Sequence, residues 1–279
     1  MINILLCGNQ KVFDGALSEL ISITNKTKEA ITCYIFTMDV SRIKPEYTCI
    51  EDEQVEFLDQ VVKNKNPENK IIKADVTNIY EREFANCANE TAYCTPYTLL
   101  RLLADLVPGM PDKLLYLDID MMANDDISPL YHTDIEEYEY AAVKEKYGSK
   151  MIRPDYINAG MLLLNMKNIK ETKLLEKARE LIKRKKLLFA DQDAIFWNTT
   201  KKKLLPRKYN EQAKFNKKDT VICHFCKRLL WLPYPHTENY KQWNIEEIHK
   251  YLKCYTFDKD LEEYKKLKEQ FNTKMKEEV

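Results

Sequence analysis

Residues 113–120 read Lys-Leu-Leu-Tyr-Leu-Asp-Ile-Asp, an apolar run from Leu114 to Leu117 that delivers two carboxylates one residue apart, Asp118 and Asp120. A run this short and this apolar has the length of a buried strand. Ending it in two charges demands compensation from a metal ion or from cations, because an unpaired buried carboxylate is costly. A divalent ion such as Mn²⁺ or Mg²⁺ takes oxygen ligands of this kind and leaves positions open for phosphate. In open α/β sheets ligands bind at the carboxyl ends of strands, which is where these aspartates stand. A chance Asp-x-Asp in an acidic loop is the alternative, since Asp125 and Asp126 follow closely.

Upstream, residues 95–108 predict a helix, with Thr95 at the N-cap, Pro96 at the first helical position and Pro108 beyond the end. Apolar runs at 2–7, 30–40 and 70–76 predict three strands, separated by helical patterns at 13–25 and 51–66. Alternating strands and helices imply a mainly parallel sheet with crossover helices. Downstream, 138–145 and 158–165 read as strands, 174–186 as a surface helix, 191–200 as the start of another helix, and 220–225 as a late strand. Residues 260–279 are rich in Lys and Glu and predict a solvated helix with i,i+4 pairs. The simplest organisation is one domain over residues 1–245 and a C-terminal helical extension over 246–279.

The 279 residues carry 44 basic and 44 acidic side chains, so no net field draws in a nucleic acid, and an anion must be bound by a local site. Hydrophobic residues at 44% and charged residues at 32% suit a folded globular chain. No stretch approaches the roughly 20 apolar residues of a membrane helix, and the mixed Lys/Glu terminus limits any membrane contact to the periphery. The N-terminus does not read as a signal peptide, and the eight scattered cysteines fit reduced thiols, so a cytoplasmic protein is expected. Cys223 and Cys226 form a lone C-x-x-C without the second pair that a zinc site wants.

Taken together, the ordered blocks ILLCGN near the start, RLL at 101–103, LLYLDID, NAGMLLLN at 158–165, DQD at 191–193 and HF at 224 resemble the retaining glycosyltransferases of family 8, over roughly residues 2–245. That family includes glycogenin and bacterial lipooligosaccharide galactosyl- and glucosyltransferases. The resemblance implies a GT-A fold, a Rossmann-like mixed sheet flanked by helices. It also implies Mn²⁺ (or Mg²⁺), a UDP-sugar donor, and a glycan, lipid-linked or protein acceptor. Asp118 and Asp120 match the family's metal-binding Asp-x-Asp, with Ile119 between them, and His224 stands where the third ligand belongs, with His236 as competitor. Arg101 matches an arginine that faces the donor sugar and diphosphate, a task suited to a planar guanidinium. Cys7, Gly8 and Asn9 fall on the loop that cradles uracil and ribose, although many members have two aspartates where this chain has Asn9 and Gln10. Asn158 and Ala159, followed by Gly160, match a block that faces the sugar. Asp191, Gln192 and Asp193 match the block beside the anomeric carbon, implying sugar binding and transition-state stabilisation with no nucleophile assigned. The family's phosphate lysine follows its histidine closely; here it is Lys227 or Lys241.

Two other readings compete. A haloacid-dehalogenase-type phosphatase also ends an apolar strand in Asp-x-Asp, but near its N-terminus and with Thr or Val where this chain has Met122. A non-catalytic protein could use the same fold to bind a nucleotide-sugar or glycan. For the acceptor, Tyr131, Trp231 and Tyr234 are candidate lining residues, and Lys144 or Glu145 occupies a position that some galactosyl donors use.

Overall fold

The structure, a computed structural model, describes residues 1–90 and 95–277. Its strands are β1 (Ile2–Cys7), β2 (Ile31–Thr37), β3 (Lys70–Asp75), β4 (Lys113–Leu117), β5 (Met121–Ala123), β6 (Tyr140–Lys144), β7 (Ile157–Asn165), β8 (Lys202–Leu205), β9 (Ile222–His224), β10 (Arg228–Leu230) and β11 (His236–Glu238). The main sheet has seven strands in the order β3-β2-β1-β4-β7-β6-β8. The β3-β2-β1-β4 half is parallel, β7 runs antiparallel to both β4 and β6, and β8 is parallel to β6. This is the expected mixed α/β sheet.

Both faces of the sheet are covered, and the pleat sorts side chains between them. Along β4, Leu115 and Leu117 join a core with α1 (Phe13–Lys26) and α2 (Asp52–Lys65), while Leu114 and Tyr116 enter a second core. The second core is completed by residues 96–104 and by the helices Leu174–Arg184 and Ala190–Asn198. From β1 the sheet grows through β2 in one direction and through β4 in the other. The crevice at the carboxyl ends of β1 and β4 is therefore a topological switch point, the usual ligand position in such sheets.

Two elements differ from expectation. The helix predicted over 95–108 is a 3₁₀ segment, Pro96–Leu103, and Thr95 makes no side-chain cap. Seven of its eight residues are buried, so packing on nearly every side, rather than one amphipathic stripe, sets its backbone. The terminal helix, Asp258–Glu277, is not solvated all round. Its Phe271 ring lies 4.5 Å from Phe13 and 5.1 Å from Phe57, and the Tyr264 hydroxyl donates to Asp14 at 2.9 Å. The apolar positions 261, 264, 267 and 271 form a narrow stripe that the surrounding charges mask in the sequence. Among the described residues, no helix is long and apolar enough to cross a membrane.

Candidate active site

Strand β4 stops at Leu117, and the next residues turn back into β5, so Asp118 and Asp120 project where the main sheet ends. Strand β5 pairs antiparallel with β9, placing Met121 opposite His224, and the Phe225 amide donates to the Asp120 carbonyl at 2.8 Å. This pairing brings a histidine from a hundred residues away onto the aspartates. Its Nε2 lies 3.0 Å from Asp120 Oδ1 and 3.7 Å from Asp118 Oδ2, and one ligand atom from each residue falls within 4.8 Å of the other two.

The cluster fits a divalent ion on its own chemistry: two carboxylates and an imidazole are a hard, oxygen-rich donor set. The His224 Nδ1 is 3.1 Å from Asn210 Oδ1, which also accepts from Gln212 Nε2 at 3.3 Å. That amide oxygen can only accept, so Nδ1 is the donor in this contact, and the ring is turned with Nε2 toward the two aspartates, the side from which it would ligate a metal. Gly160 lies directly beneath. A Cβ there would stand 2.4 Å from His224 Cε1 and 2.7 Å from Asp118 Oδ2, so only glycine lets β7 pass this close.

Arg101 is buried and fully engaged. It donates to Asp118 Oδ1 at 2.8 Å and to the Ala159 carbonyl at 2.6 Å, and its Nε lies 3.2 Å from Asp191 Oδ2. Burial opposes its charge, but Asp191, Tyr116 and Asp118 outweigh that, and the guanidinium stays protonated. Its plane sits 4.0 Å from the Tyr116 ring, whose hydroxyl donates to the same Asp118 oxygen at 2.6 Å. Asp120 is held by Lys241, with Nζ 2.5 Å from Oδ2. Burial alone would raise the Asp120 pKa, yet His224 and Lys241 overcome it and hold the carboxylate below its usual range.

The three residues Lys241-Gln242-Trp243 grip the aspartate turn as a unit. Gln242 Nε2 donates to the Ile119 carbonyl at 3.0 Å, and Trp243 packs over Gly15, whose absent side chain leaves room for the same carbonyl. Beneath the turn, Glu19 of α1 is buried with both oxygens unbonded. Burial first, then Asp120 and Asp118, drives its carboxyl well above the ordinary range, so it is held neutral.

Arg101, Asp118, Asp120, Asn158, Ala159, Gly160, Asp191, Gln192, His224 and Lys227 all line one cavity of about 530 Å³. Gln192 accepts from the Ala159 amide at 3.0 Å, and Asn158 accepts from Gly160 and from Asn210. Asp191 is buried, and that burial, against Arg101 and with Asp118, raises its pKa to about 6.

Some predicted residues sit elsewhere. Asp193 does not line the cavity; it accepts from the Tyr156 hydroxyl at 2.5 Å and from the Phe189 amide at 3.0 Å, and so secures the start of its helix. Asn9 accepts from Lys11 N and donates to the Glu46 carbonyl, capping a local turn. Cys7 is buried close enough to feel Arg101, Asp118 and Asp191, and burial pushes its thiol up. With Gly8 these residues form the end of β1, next to β4. Tyr131 is buried at the opposite end of β4, donating to the Lys113 carbonyl, away from the cavity. His236 lies in β11 beside Glu238 and makes no contact with the aspartates. Asn210 and Glu19 carry no motif, and only their place in the fold marks them.

A mixed sheet with a Rossmann-like parallel half and an Asp-x-Asp turn at its switch point defines the GT-A class of glycosyltransferases. The profile of glycosyl transferase family 8 matches residues 3–244, and the chain belongs to that family. Among its relatives, a lipopolysaccharide 1,2-glucosyltransferase of Escherichia coli K12 is 34% identical over 124 residues, 39% of this chain and 37% of that enzyme. The general stress protein A of Bacillus subtilis is 26% identical over 211 residues, 63% of this chain and 67% of that protein. The chain thus spans well under half of the E. coli enzyme it matches. Among solved structures, the galactosyltransferase LgtC in complex with donor and acceptor sugar analogs superposes with a TM-score of 0.65 at 16% identity, covering 95% of this chain and 96% of that one.

Proposed function

We propose that the chain moves a hexose, with retention of configuration, from a UDP-sugar to a glycan, lipid-linked or protein acceptor, with Mn²⁺ or Mg²⁺ held by Asp118, Asp120 and His224. The convergence of those three side chains at one end of a single cavity carries the reading. When bound, such an ion neutralises charge building on the departing diphosphate.

The chain's own residues supply the rest. Lys241 lies on Asp120, and it is the lysine placed to add positive charge beside the diphosphate once a metal takes over the carboxylate. Lys227, three residues after His224, lines the cavity and is the second lysine assigned to the donor. Arg101 fixes Asp118 and Asp191 in place, so its first role is to position both carboxylates. Asp191 and Gln192 face the sugar, where an ionised Asp191 stabilises positive charge developing at the anomeric carbon. Asn158 and Ala159 orient the sugar, and the β1 end, Cys7 to Asn9, receives the nucleotide.

The names of the relatives cover both glucosyl and galactosyl transfer, which supports a hexose donor without choosing between them. The test is UDP release from a panel of UDP-sugars, with and without Mn²⁺, on wild type and Asp120→Ala. Metal-dependent release from one donor, reduced roughly 100-fold or more by the substitution, is expected. Folded protein that neither binds nor cleaves any donor would replace this reading with a non-catalytic one.

A further inference from the structure

Three chain segments meet around the mouth of the cavity: 144–153 after β6, 184–189 before the Asp191 helix, and 226–234 through β10. Met151, Ile152, Leu188, Phe189, Arg228 and Leu229 from these segments all contribute to its lining. The Tyr147 hydroxyl donates to the Leu229 carbonyl at 2.9 Å, tying the first segment to the third.

The composition of this rim is unlike that of the rest of the molecule. The whole chain balances 44 basic against 44 acidic residues, yet the three segments hold nine Lys or Arg and one acid, Glu145. That acid is turned to its own backbone, accepting from the Tyr147 amide at 2.6 Å and from the Gly148 amide. Interleaved with the bases are apolar side chains left in water: Leu232 is 82% exposed, Leu188 72% and Met151 70%. Trp231 and Tyr234 flank Leu232 and are also exposed. Exposed large apolar groups on one side of a soluble molecule mark an interaction surface. When they alternate with Lys and Arg, both parts suit a lipid interface, where apolar groups sink to the acyl boundary and bases meet anionic headgroups.

We infer that this rim docks on an anionic bilayer and presents the cavity to an acceptor carried on a lipid. The inference rests on the transferase reading and narrows its acceptor to one of three classes. Charge complementarity and continuity with the cavity select the occupant: a membrane holds both the negative surface and the acceptor. A soluble glycan would need neither the basic excess nor Leu232.

The test is co-sedimentation of the full chain with vesicles of phosphatidylcholine alone or with admixed phosphatidylglycerol, at low and high salt. Wild type is expected to partition onto the anionic vesicles and to lose binding as salt rises. Lys150→Glu combined with Lys186→Glu should lower the partition coefficient at least about tenfold, and Leu232→Ser should lower it further. None of these residues touches the metal cluster, so both variants should retain metal-dependent donor hydrolysis in solution, which also shows that they fold. Absence of wild-type binding, equal binding to neutral vesicles, or variants that bind like wild type would overturn the proposal. Vesicle binding by a protein that hydrolyses no donor would instead bring down the transferase reading, and the acceptor half of this one with it.

Discussion

At the scale of single residues, Gly160 and Asp191 make the sharpest predictions. A methyl at position 160 would displace His224 or Asp118, so Gly160→Ala should weaken Mn²⁺ binding by roughly 10- to 100-fold, read by calorimetric titration. Asp191 has its pKa raised to about 6, so it is half protonated at that pH, and donor hydrolysis at saturating Mn²⁺ should fall as pH drops below about 6. Asp191→Asn should lower the plateau and remove that limb of the profile. Stability runs the other way. A carboxyl whose folded pKa is raised contributes fully below its ordinary value of 3.8 and loses that contribution as pH rises through about 6. Denaturant midpoints for wild type and Asp191→Asn should therefore agree best at acid pH and favour the variant above pH 6. Asp118 and Asp120 were legible at this scale because two charges ending an apolar run are a local anomaly. Asn210 was not, since one asparagine in a loop says nothing about the ring it orients.

At the scale of elements, the β5–β9 pair and the terminal helix each do what no motif announces. The pair carries His224 to the aspartates, and Asn210 fixes the imidazole from a neighbouring loop. Asn210→Ala should leave the fold intact and reduce Mn²⁺ affinity by about 10-fold or more, because the imidazole loses its orientation. The terminal helix packs Phe271 between Phe13 and Phe57. Phe271→Ala should cost about 3 kcal/mol in urea denaturation, while UDP release per folded molecule changes little. The strands were readable as short apolar runs. The helix predicted over 95–108 forms only as the 3₁₀ segment Pro96–Leu103, because its backbone answers to burial on nearly all sides, which a one-dimensional pattern does not encode.

At the scale of the whole molecule, the proposed metal site would couple ion binding to folding. Of the three proposed ligands, Asp118 and Asp120 come from the turn after β4 and His224 from β9, and they meet only in the folded chain. A ligand that binds the native state alone stabilises it, by about 2.7 kcal/mol at 100 times its Kd. Mn²⁺ should accordingly raise the thermal midpoint of the wild type by several degrees and leave Asp120→Ala unmoved, as scanning calorimetry would show. The same assembly places the charge-biased rim around the cavity, from segments far apart in sequence.

The sequence by itself determined the alternation of strands and helices, the Asp-x-Asp at a strand end and the ordered blocks of the family, because each is written in residues that are neighbours along the chain. Only the tertiary structure decided that Arg101 clamps two carboxylates, that Lys241 lies on Asp120, and that Asp193 faces its own helix. Those outcomes depend on contacts between residues up to 121 positions apart in the chain, set by sheet register and packing, and periodicity within a segment carries no information about them.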